Sequence, residues 1–179
     1  MKLLVVVDMQ NDFIDGALGS PEAQAIVPNV KQKIEQYRND PNGFVIYTAD
    51  THHENYLDTM EGKKLPVPHC IHPSHGWMIP EDLYILNAPI IMKKTFGAEN
   101  LINYLTSIER ICEKEKGLIE SIEVVGLCTD ICVISNVMIA KSCYPEVPII
   151  VDSSCCAGVT PASHENALNA MKMCHIDVI

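Results

Sequence analysis

The sequence predicts a three-layer α/β/α fold in which helices cover both faces of a doubly wound, mostly parallel sheet of six strands. Two observations support this class. Short apolar runs alternate with longer segments of helical period, as in proteins built on a parallel sheet. Several of the runs are apolar throughout, which is typical of strands that are buried on both faces. The predicted strands are residues 2–7, 43–49, 89–92, 122–127, 147–152 and 175–179.

Four segments between the strands have apolar residues at helical spacing. The third covers residues 131–143. The fourth begins at about Pro161, because Thr160 is suited to cap a helix whose first residue is a proline. The apolar stripe of the first helical segment consists of Ile26, Val27, Val30, Ile34 and Tyr37. That of the second segment consists of Leu101, Leu105, Ile108 and Cys112. Their alternation with strands predicts helices on the faces of the sheet.

Length and composition restrict the classes of protein that fit. A chain of 179 residues favours a single domain over residues 1–179. The formal net charge of −10 argues against nucleic acid or an anionic membrane as a partner. No apolar run approaches the roughly 20 residues that span a bilayer, and the opening strand is too short and acidic for a secretory signal. Eight scattered cysteines favour reduced thiols and therefore a cytoplasmic protein.

An insert at about residues 50–89 interrupts the alternation of strands and helices. It contains five of the seven histidines and the only tryptophan. Irregular segments of this length are usually functional or disordered, and the concentration of histidine and aromatic residues argues against disorder. We therefore interpret the insert as a loop that binds a metal or a substrate.

Three reactive side chains follow predicted strands. Asp8 comes directly after the first strand, Lys93 after the third, and Cys132 lies just past the fourth. Because ligands bind in the crevice at the carboxyl ends of parallel strands, we expect an acid, a cation and a thiol in one place. Lys93 could pair with Asp8 and favour the thiolate, while the carboxylate could take the thiol proton. Such a trio is typical of a covalent hydrolase.

Cys132 is the leading candidate for the nucleophile, because it falls in the first turn of a predicted helix. The positive end of the helix dipole favours a thiolate, and free backbone N–H groups there can hold an oxyanion. Cys128 is the competing candidate, although it lies at the exit of the strand. Position alone leaves open that Cys132 is a buried packing residue.

The insert also carries a set of possible metal ligands. Asp50 and His52 follow the second strand with one residue between them, and Glu61 and His69 come later at loop spacings. Two histidines and two carboxylates suit zinc, manganese or iron. The alternative is that these histidines are exposed polar residues of a loop.

Three segments of the chain resemble a known family. Residues 8–13, 93–97 and 126–133 are similar to the three signatures of the isochorismatase-like cysteine hydrolases, a superfamily that includes nicotinamidases. The resemblance covers essentially the whole chain, in order and with sensible spacing. It implies the isochorismatase-like hydrolase fold for this sequence.

The resemblance also implies a role for each reactive residue. Asp8 corresponds to the general base, Lys93 (rather than the neighbouring Lys94) to the cation and Cys132 to the nucleophile. A cis peptide bond before Cys128 is implied, with an oxyanion hole formed by the backbone N–H groups of Cys128 and Cys132. Family members are commonly oligomeric, so a homo-oligomer is expected.

The resemblance extends to the substrate pocket and to the metal ligands. Phe13 and Gln10, which belong to the same signature, are both expected in the substrate pocket. Asp50-x-His52 and the segment around His69 are similar to the metal-binding segments of nicotinamidases. In those enzymes a metal anchors the pyridine nitrogen of the substrate. A divalent metal is therefore expected here, with zinc as the leading ion. Some members supply a Glu where Glu61 lies. Others have a His where this chain has Tyr56, so the third ligand stays open between these two positions.

The function predicted on this basis is hydrolysis of a small amide through a thioester, with nicotinamide converted to nicotinate and ammonia and with no organic cofactor. Two alternatives remain. The substrate could be another small amide or a ureide, because the same trio serves all of them. The protein could instead be a non-catalytic binding or thiol-redox protein, with Cys128 and Cys132 as an oxidisable pair.

Overall fold

A computed structural model describes residues 1–179, with the side chains of residues 1–112 and 116–179. It contains a single sheet of six strands, and every neighbouring pair of strands is parallel. The strands are β1 (Lys2–Val7), β2 (Gly43–Asp50), β3 (Ile90–Lys93), β4 (Ser121–Leu127), β5 (Ile149–Ala157) and β6 (Asp177–Val178). Their order across the sheet is β3-β2-β1-β4-β5-β6. The predicted α/β class and the number of strands are confirmed.

Helices cover both faces of this sheet. They are α1 (Asn11–Ile14), α2 (Pro21–Asn39), α3 (Met60–Lys64), α4 (Leu101–Lys116), α5 (Ile134–Cys143) and α6 (Pro161–Met173). A short 3₁₀ turn (Tyr56–Asp58) precedes α3, and a π-helical turn (Thr129–Val133) leads into α5. No helix among the described residues has the length and apolar character needed to cross a membrane.

The central strand β1 explains why both layers are needed. Leu3, Val5 and Val7 pack into the core on the side of α4, α5 and α6. Leu4 and Val6 pack on the opposite side, with the apolar residues of α2. Because successive side chains point to opposite faces of a strand, an all-apolar strand has to be covered twice.

The starts of two helices follow from their capping residues. The hydroxyl of Ser20 accepts a hydrogen bond of 3.0 Å from the backbone N–H of Ala23 at the start of α2. Thr160 and Ser163 cap each other reciprocally at the start of α6, so this helix begins at Pro161 as predicted. Each cap satisfies N–H groups that have no partner inside the helix.

Strand β5 is longer than the sequence predicts, because it continues from residue 152 to Ala157. The extension pairs Cys156 with Gly126 and follows a shift of register in β4. Gly126 has a φ of +119°, and a Cβ there would lie 2.1 Å from the carbonyl oxygen of Val7. Glycine therefore permits the close approach of β4 to β1 next to the site described below.

A buried ion cluster joins α2 to β4 and β5 on the face of the sheet that α2 covers. The Lys33 ammonium lies 2.7 Å from Glu123 Oε1 on β4 and 2.8 Å from Asp152 Oδ2 on β5. The hydroxyl of Tyr37 donates a hydrogen bond of 2.7 Å to the other oxygen of Glu123. Glu123 is 6% exposed, so its charge depends on these partners rather than on water.

We expect Lys33→Met to lower the free energy of unfolding by about 3 kcal/mol, because it leaves a buried carboxylate without its cation. Urea denaturation measures this change. Lys31→Met is the matched control on the same helix, since Lys31 pairs with Asp82 at 3.0 Å with both side chains exposed. It should cost at most about 1 kcal/mol. Equal effects of the two substitutions would contradict a stabilising role of the buried cluster.

Candidate active site

The three reactive side chains lie together at the carboxyl edge of the sheet. Asp8 follows β1 with a φ of +47°, Lys93 ends β3, and Cys132 lies in the π-helical turn after β4. Lys93 Nζ is 2.7 Å from Asp8 Oδ2 and 3.5 Å from Cys132 Sγ. The neighbouring Lys94 is exposed. The structure thus places an acid, a cation and a thiol in direct contact.

Asp8 is fully buried, and a second group fixes its carboxylate. The hydroxyl of Thr48 on β2 donates a hydrogen bond of 2.6 Å to Oδ1, while Oδ2 faces Lys93. Burial raises the pKa of Asp8, and the nearby charge of Asp50 raises it further, although Lys93 opposes both. A raised pKa makes the carboxylate a better proton acceptor than an exposed aspartate.

Lys93 remains charged despite being 2% exposed. Its ammonium also donates hydrogen bonds of 3.2 Å to Asp50 Oδ1 and 3.1 Å to the carbonyl oxygen of Thr95. Burial acts to lower its pKa, but Asp8, Cys132 and Asp50 outweigh that effect and raise the pKa of Lys93 above its usual range. Lys93 is therefore a fixed positive charge and not a proton donor near neutral pH.

The surroundings of Cys132 favour its protonated thiol over the thiolate. Burial raises its pKa well above the usual range, and the charge of Asp8 adds to this, while Lys93 acts in the opposite direction. This corrects the expectation that the start of a helix favours the thiolate here. The physical reason is that Cys132 lies in a buried site beside two carboxylates, which outweigh one lysine. The thiol consequently needs a base, and Asp8 lies next to it.

The backbone around Cys128 has the form that the sequence resemblance implies. The peptide bond between Leu127 and Cys128 is cis. The carbonyl oxygen of Cys128 accepts hydrogen bonds from the N–H groups of Ile131, at 3.1 Å, and Val133, at 3.0 Å. These bonds anchor the π-helical turn to the end of β4. Burial also raises the pKa of the Cys128 thiol, to about 12.

Asn136 is a buried polar residue that the sequence analysis missed. Its side-chain amide donates hydrogen bonds to the carbonyl oxygens of Cys132, at 2.8 Å, and Phe96, at 3.3 Å. Its oxygen accepts one of 2.9 Å from the backbone N–H of Ala98. Asn136 thus ties the loop after Lys93 to the turn that carries Cys132. A lone asparagine among the apolar residues of α5 was the available signal.

Gln10 does not have the predicted place in the pocket. It is fully buried and lies outside the cavity wall. Its amide nitrogen donates to the carbonyl oxygens of Asp50, at 2.9 Å, and Trp77, at 2.8 Å, and its oxygen accepts from the N–H of Asp50 at 2.7 Å. The reason is that the residue follows a sharp turn at Asp8 and points between β2 and the insert. Gln10 therefore holds the backbone of Asp50 in place.

The four predicted metal ligands converge beside this trio. One ligand atom from each of Asp50, His52, Glu61 and His69 lies within 4.8 Å of the others. The Nε2 atoms of His52 and His69 are 3.1 and 3.5 Å from Asp50 Oδ2, and 3.7 and 3.8 Å from Glu61 Oε1. Ligand atoms around one tetrahedral ion with bonds of about 2.0–2.2 Å are separated by about 3.3–3.6 Å, so this donor set fits a divalent metal.

The supporting contacts fit the same conclusion. His69 Nδ1 lies 2.8 Å from the carbonyl oxygen of Val67, an arrangement that leaves Nε2 to face the cluster. Asp50 uses its two oxygens in different ways, because Oδ2 faces the histidines and Oδ1 accepts from Lys93. Asp50 thus links the metal-ligand cluster to Lys93 and, through it, to Asp8 and Cys132.

The structure places Glu61, and not the hydroxyl of Tyr56, among the ligand atoms. Thr59 caps α3 by accepting a hydrogen bond of 3.0 Å from the N–H of Gly62, and the helix so begun carries Glu61 toward His52. Tyr56 is buried behind His52, with ring centroids 4.6 Å apart, and its hydroxyl donates to the carbonyl oxygen of Leu65 at 2.9 Å.

We expect Glu61→Gln to weaken zinc binding by at least about tenfold, because it removes the charge of a carboxylate that faces the cluster. Tyr56→Phe is the matched control: it removes only a hydroxyl that is bonded elsewhere and should leave the affinity for zinc unchanged. Competition with a chromophoric chelator measures both. A larger loss in Tyr56→Phe than in Glu61→Gln would show that the assignment of Glu61 as the third ligand is wrong.

A cavity of about 490 Å³ connects the thiol with the metal-ligand cluster. Cys132 and Cys128 form one side of it, and Asp50, Glu61 and His69 form another. Phe13 lines the cavity, as predicted. The remaining lining residues are Leu18, Gly19, Ser20, Ala23, Leu65, Phe96, Leu127, Ile131, Gly158 and Val159. A small molecule in this space reaches both the thiol and the cluster.

Fold and site together define an α/β protein that brings reactive side chains together at the carboxyl edge of its sheet. The isochorismatase-domain family model matches residues 2–179, so the chain belongs to the isochorismatase family and is a hydrolase of that family. A comparison with curated protein sequences found no match.

Solved structures share the fold over nearly the whole chain. A zinc complex of pyrazinamidase from Pyrococcus horikoshii has a TM-score of 0.82 at 24% identity, covering 99% of this chain and 98% of that one. Pyrazinamidase/nicotinamidase from Streptococcus mutans UA159 has a TM-score of 0.82 at 24% identity, with 100% of both chains covered. N-carbamoylsarcosine amidase from Thermoplasma acidophilum has a TM-score of 0.79 at 25% identity, covering 99% and 94%.

Proposed function

We propose that this protein is a cysteine-dependent amidohydrolase of a small amide, with nicotinamide as the leading substrate. The observation that carries the proposal is the contact among Asp8, Lys93 and Cys132. The ammonium lies 2.7 Å from the carboxylate and 3.5 Å from the sulfur, and the cavity beside them also reaches a set of metal ligands. A nucleophile next to a base that is itself held in place is typical of covalent catalysis.

The first half of the proposed reaction is acylation of the thiol. Asp8 accepts the proton of Cys132 as Sγ attacks the amide carbonyl carbon, so that a C–S bond forms and the oxygen becomes an oxyanion. Backbone N–H groups of Cys128 and Cys132 hold that oxyanion. When the intermediate collapses, the C–N bond breaks, and Asp8 returns its proton to the departing ammonia. The product of this half is a thioester.

The second half releases the acid. Asp8 accepts a proton from water as the water oxygen attacks the thioester carbonyl. The C–S bond then breaks, the acid leaves and the thiolate regains its proton. Amide and water are thus converted to a carboxylic acid and ammonia. Lys93 stays charged throughout and offsets the negative charge that moves between carboxylate, sulfur and oxygen.

Asp50, His52, Glu61 and His69 would hold a divalent metal, with zinc as the leading ion and manganese or iron as alternatives. When bound, such an ion supplies a Lewis acid that can coordinate a ring nitrogen of the substrate. Phe13 packs against His69, with ring centroids 5.5 Å apart, and presents an apolar surface to an aromatic ring in the cavity.

Another small amide or a ureide is the second candidate, and the likeness of fold to N-carbamoylsarcosine amidase favours including it. The thiol-redox alternative is weaker. The thiols of Cys128 and Cys132 both have raised pKa values, whereas redox-active cysteines are typically more acidic than usual. Asp8 and Lys93 also have no role in that alternative.

Ammonia release from a panel of amides tests the proposal. The panel contains nicotinamide, pyrazinamide, benzamide and a ureide, each assayed with zinc, with chelator, and with chelator followed by zinc. We expect turnover of the two heteroaromatic amides, loss on chelation and recovery with zinc. Benzamide is the matched control, because it lacks the ring nitrogen and should react more slowly. No ammonia from any amide would overturn the proposal, and a preference for the ureide would favour the second candidate.

A further inference from the structure

Four apolar side chains that line the cavity come from separate loops, and three of them are exposed to solvent. Leu18 follows α1, Leu65 follows α3, Phe96 follows β3 and Val159 follows β5, and all four line the cavity. Leu65, Phe96 and Val159 are 37%, 46% and 59% exposed. We call these four residues the apolar rim. Exposed apolar side chains that cluster around one opening typically mark a binding surface.

The backbone of the rim is held in place. The N–H of Val159 donates to the carboxylate of Asp130, at 3.1 and 3.3 Å to its two oxygens. The N–H groups of Leu18 and Leu65 donate to backbone carbonyls at 2.8 Å, and the carbonyl oxygen of Phe96 accepts from Asn136. A rim anchored at each loop is organised before a ligand arrives, which reduces the entropy cost of binding.

The charges of the cavity restrict the ligand. The acidic side chains in its wall are Asp50 and Glu61, and the described lining residues include no lysine or arginine. An anionic group at the rim would therefore meet no cation. The rim end of the cavity suits an uncharged apolar group.

The size of the cavity exceeds that of the amide core. A single-ring carboxamide has about nine non-hydrogen atoms, whereas cavities of roughly 300–1,000 Å³ hold drug-sized ligands. At about 490 Å³, this cavity has room for more than a ring and an amide.

We infer that the preferred substrate is an uncharged single-ring carboxamide with an apolar substituent on the ring, and that the rim binds that substituent. This inference rests on the proposed amidohydrolase function. It adds a class of substrate that nicotinamide itself does not represent. Binding of the substituent removes apolar surface of both partners from water, which favours longer substituents until the rim is covered.

A series of ring-alkylated nicotinamides tests the inference. Values of kcat/KM are measured for nicotinamide and for its methyl, ethyl, propyl and butyl derivatives, with one series for each ring position distant from the amide. We expect an increase of about threefold for each added methylene group. A derivative whose chain of equal length ends in a carboxylate should fall below nicotinamide. A flat or falling alkyl series at every such ring position overturns the inference.

Two rim variants connect the preference to these residues. Phe96→Ser and the nearly isosteric Val159→Thr should each lower the ratio of kcat/KM for the butyl derivative to that for nicotinamide by at least about threefold. Met173→Gln is the control, because Met173 is 83% exposed on α6 and lies outside the cavity wall. It should leave the ratio unchanged. An unchanged ratio in both rim variants overturns the assignment of the rim.

Binding measurements separate this inference from the proposed function. Calorimetry with zinc-loaded Cys132→Ala measures affinity for the same series without turnover. If nicotinamide is hydrolysed but affinity does not increase with chain length, the inference fails and the proposed function stands. If no amide is hydrolysed but affinity increases, the function fails and the rim is retained as a binding site. If Phe96→Ser instead lowers the mass in sedimentation and leaves the ratio unchanged, the rim contacts a second copy of the chain and the inference is overturned.

Discussion

Replacing Cys132 by alanine is expected to lower kcat for ammonia release by at least about 10⁴-fold while leaving the fold intact. The substitution removes the only sulfur that contacts Lys93 in the described site and leaves Asp8 without a thiol proton to accept. The side chain is small and lies at a cavity wall, so the lost packing is modest. The measurement is turnover of the best amide in the panel, together with urea denaturation of the same variant.

Two other cysteines provide controls for this prediction. Cys143 ends α5 and is exposed, so Cys143→Ser should leave turnover unchanged. Cys128→Ala retains its backbone N–H and should cost far less than Cys132→Ala. Substantial turnover in Cys132→Ala would contradict the assigned nucleophile. A reversible Cys128–Cys132 disulfide after mild oxidation, in a protein with no amidase activity, would instead support the thiol-redox alternative.

The sheet could be predicted from the sequence because its strands are buried on both faces. Runs such as residues 3–7 are apolar at every position. A short run of this kind is typical of a strand that is covered on both faces, so the sequence predicts both the strand and the two layers around it. The second half of β5 lies beyond the predicted strand, which ends at residue 152, because the polar Ser153 and Ser154 interrupt the apolar run. What extends it is pairing with β4 after a shift of register at Gly126, and that shift depends on tertiary structure.

The sequence predicts the site residues that directly follow a strand, because such residues lie at the carboxyl edge of a parallel sheet. Parallel strands place Asp8 and Lys93 at the same edge of the sheet, and the order β3-β2-β1, with one strand between theirs, lets the long side chain of Lys93 reach Asp8. Thr48 and Asn136 could not be found in this way. Thr48 acts through its hydrogen bond to Asp8, about 40 residues away in the sequence. Asn136 acts through contacts with the backbone of the loop after β3. The protonation state of Cys132 was also beyond the sequence, because burial among charges decides it.

The third ligand illustrates a different limit. The family resemblance left this ligand open between Glu61 and the position of Tyr56, where other members have a His. The start of α3 at the Thr59 cap separates them, because it directs the carboxylate inward while the tyrosine hydroxyl bonds to the carbonyl of Leu65. A short helix inside an irregular insert has too few apolar residues to be predicted from periodicity.

Replacing Asp8 by asparagine is expected to lower kcat by about 10²–10⁴-fold, because asparagine cannot accept the thiol proton or return it to ammonia. The substitution suits the backbone, since asparagine tolerates the left-handed conformation that Asp8 adopts at a φ of +47°. It also keeps an oxygen for the hydrogen bond from Thr48. The loss of turnover should therefore reflect chemistry rather than folding.

The same substitution should make the thiol of Cys132 more reactive toward an alkylating agent. The charge of Asp8 raises the pKa of Cys132 and that of Lys93 lowers it, so neutralising Asp8 lowers the pKa and increases the thiolate at pH 7. We expect faster alkylation by iodoacetamide together with slower turnover, and no change of either in the exposed control Asp15→Asn. A merely disruptive substitution has no reason to move the two rates in opposite directions. If alkylation and turnover both slow in Asp8→Asn, Asp8 supports the structure of the site and is not its base.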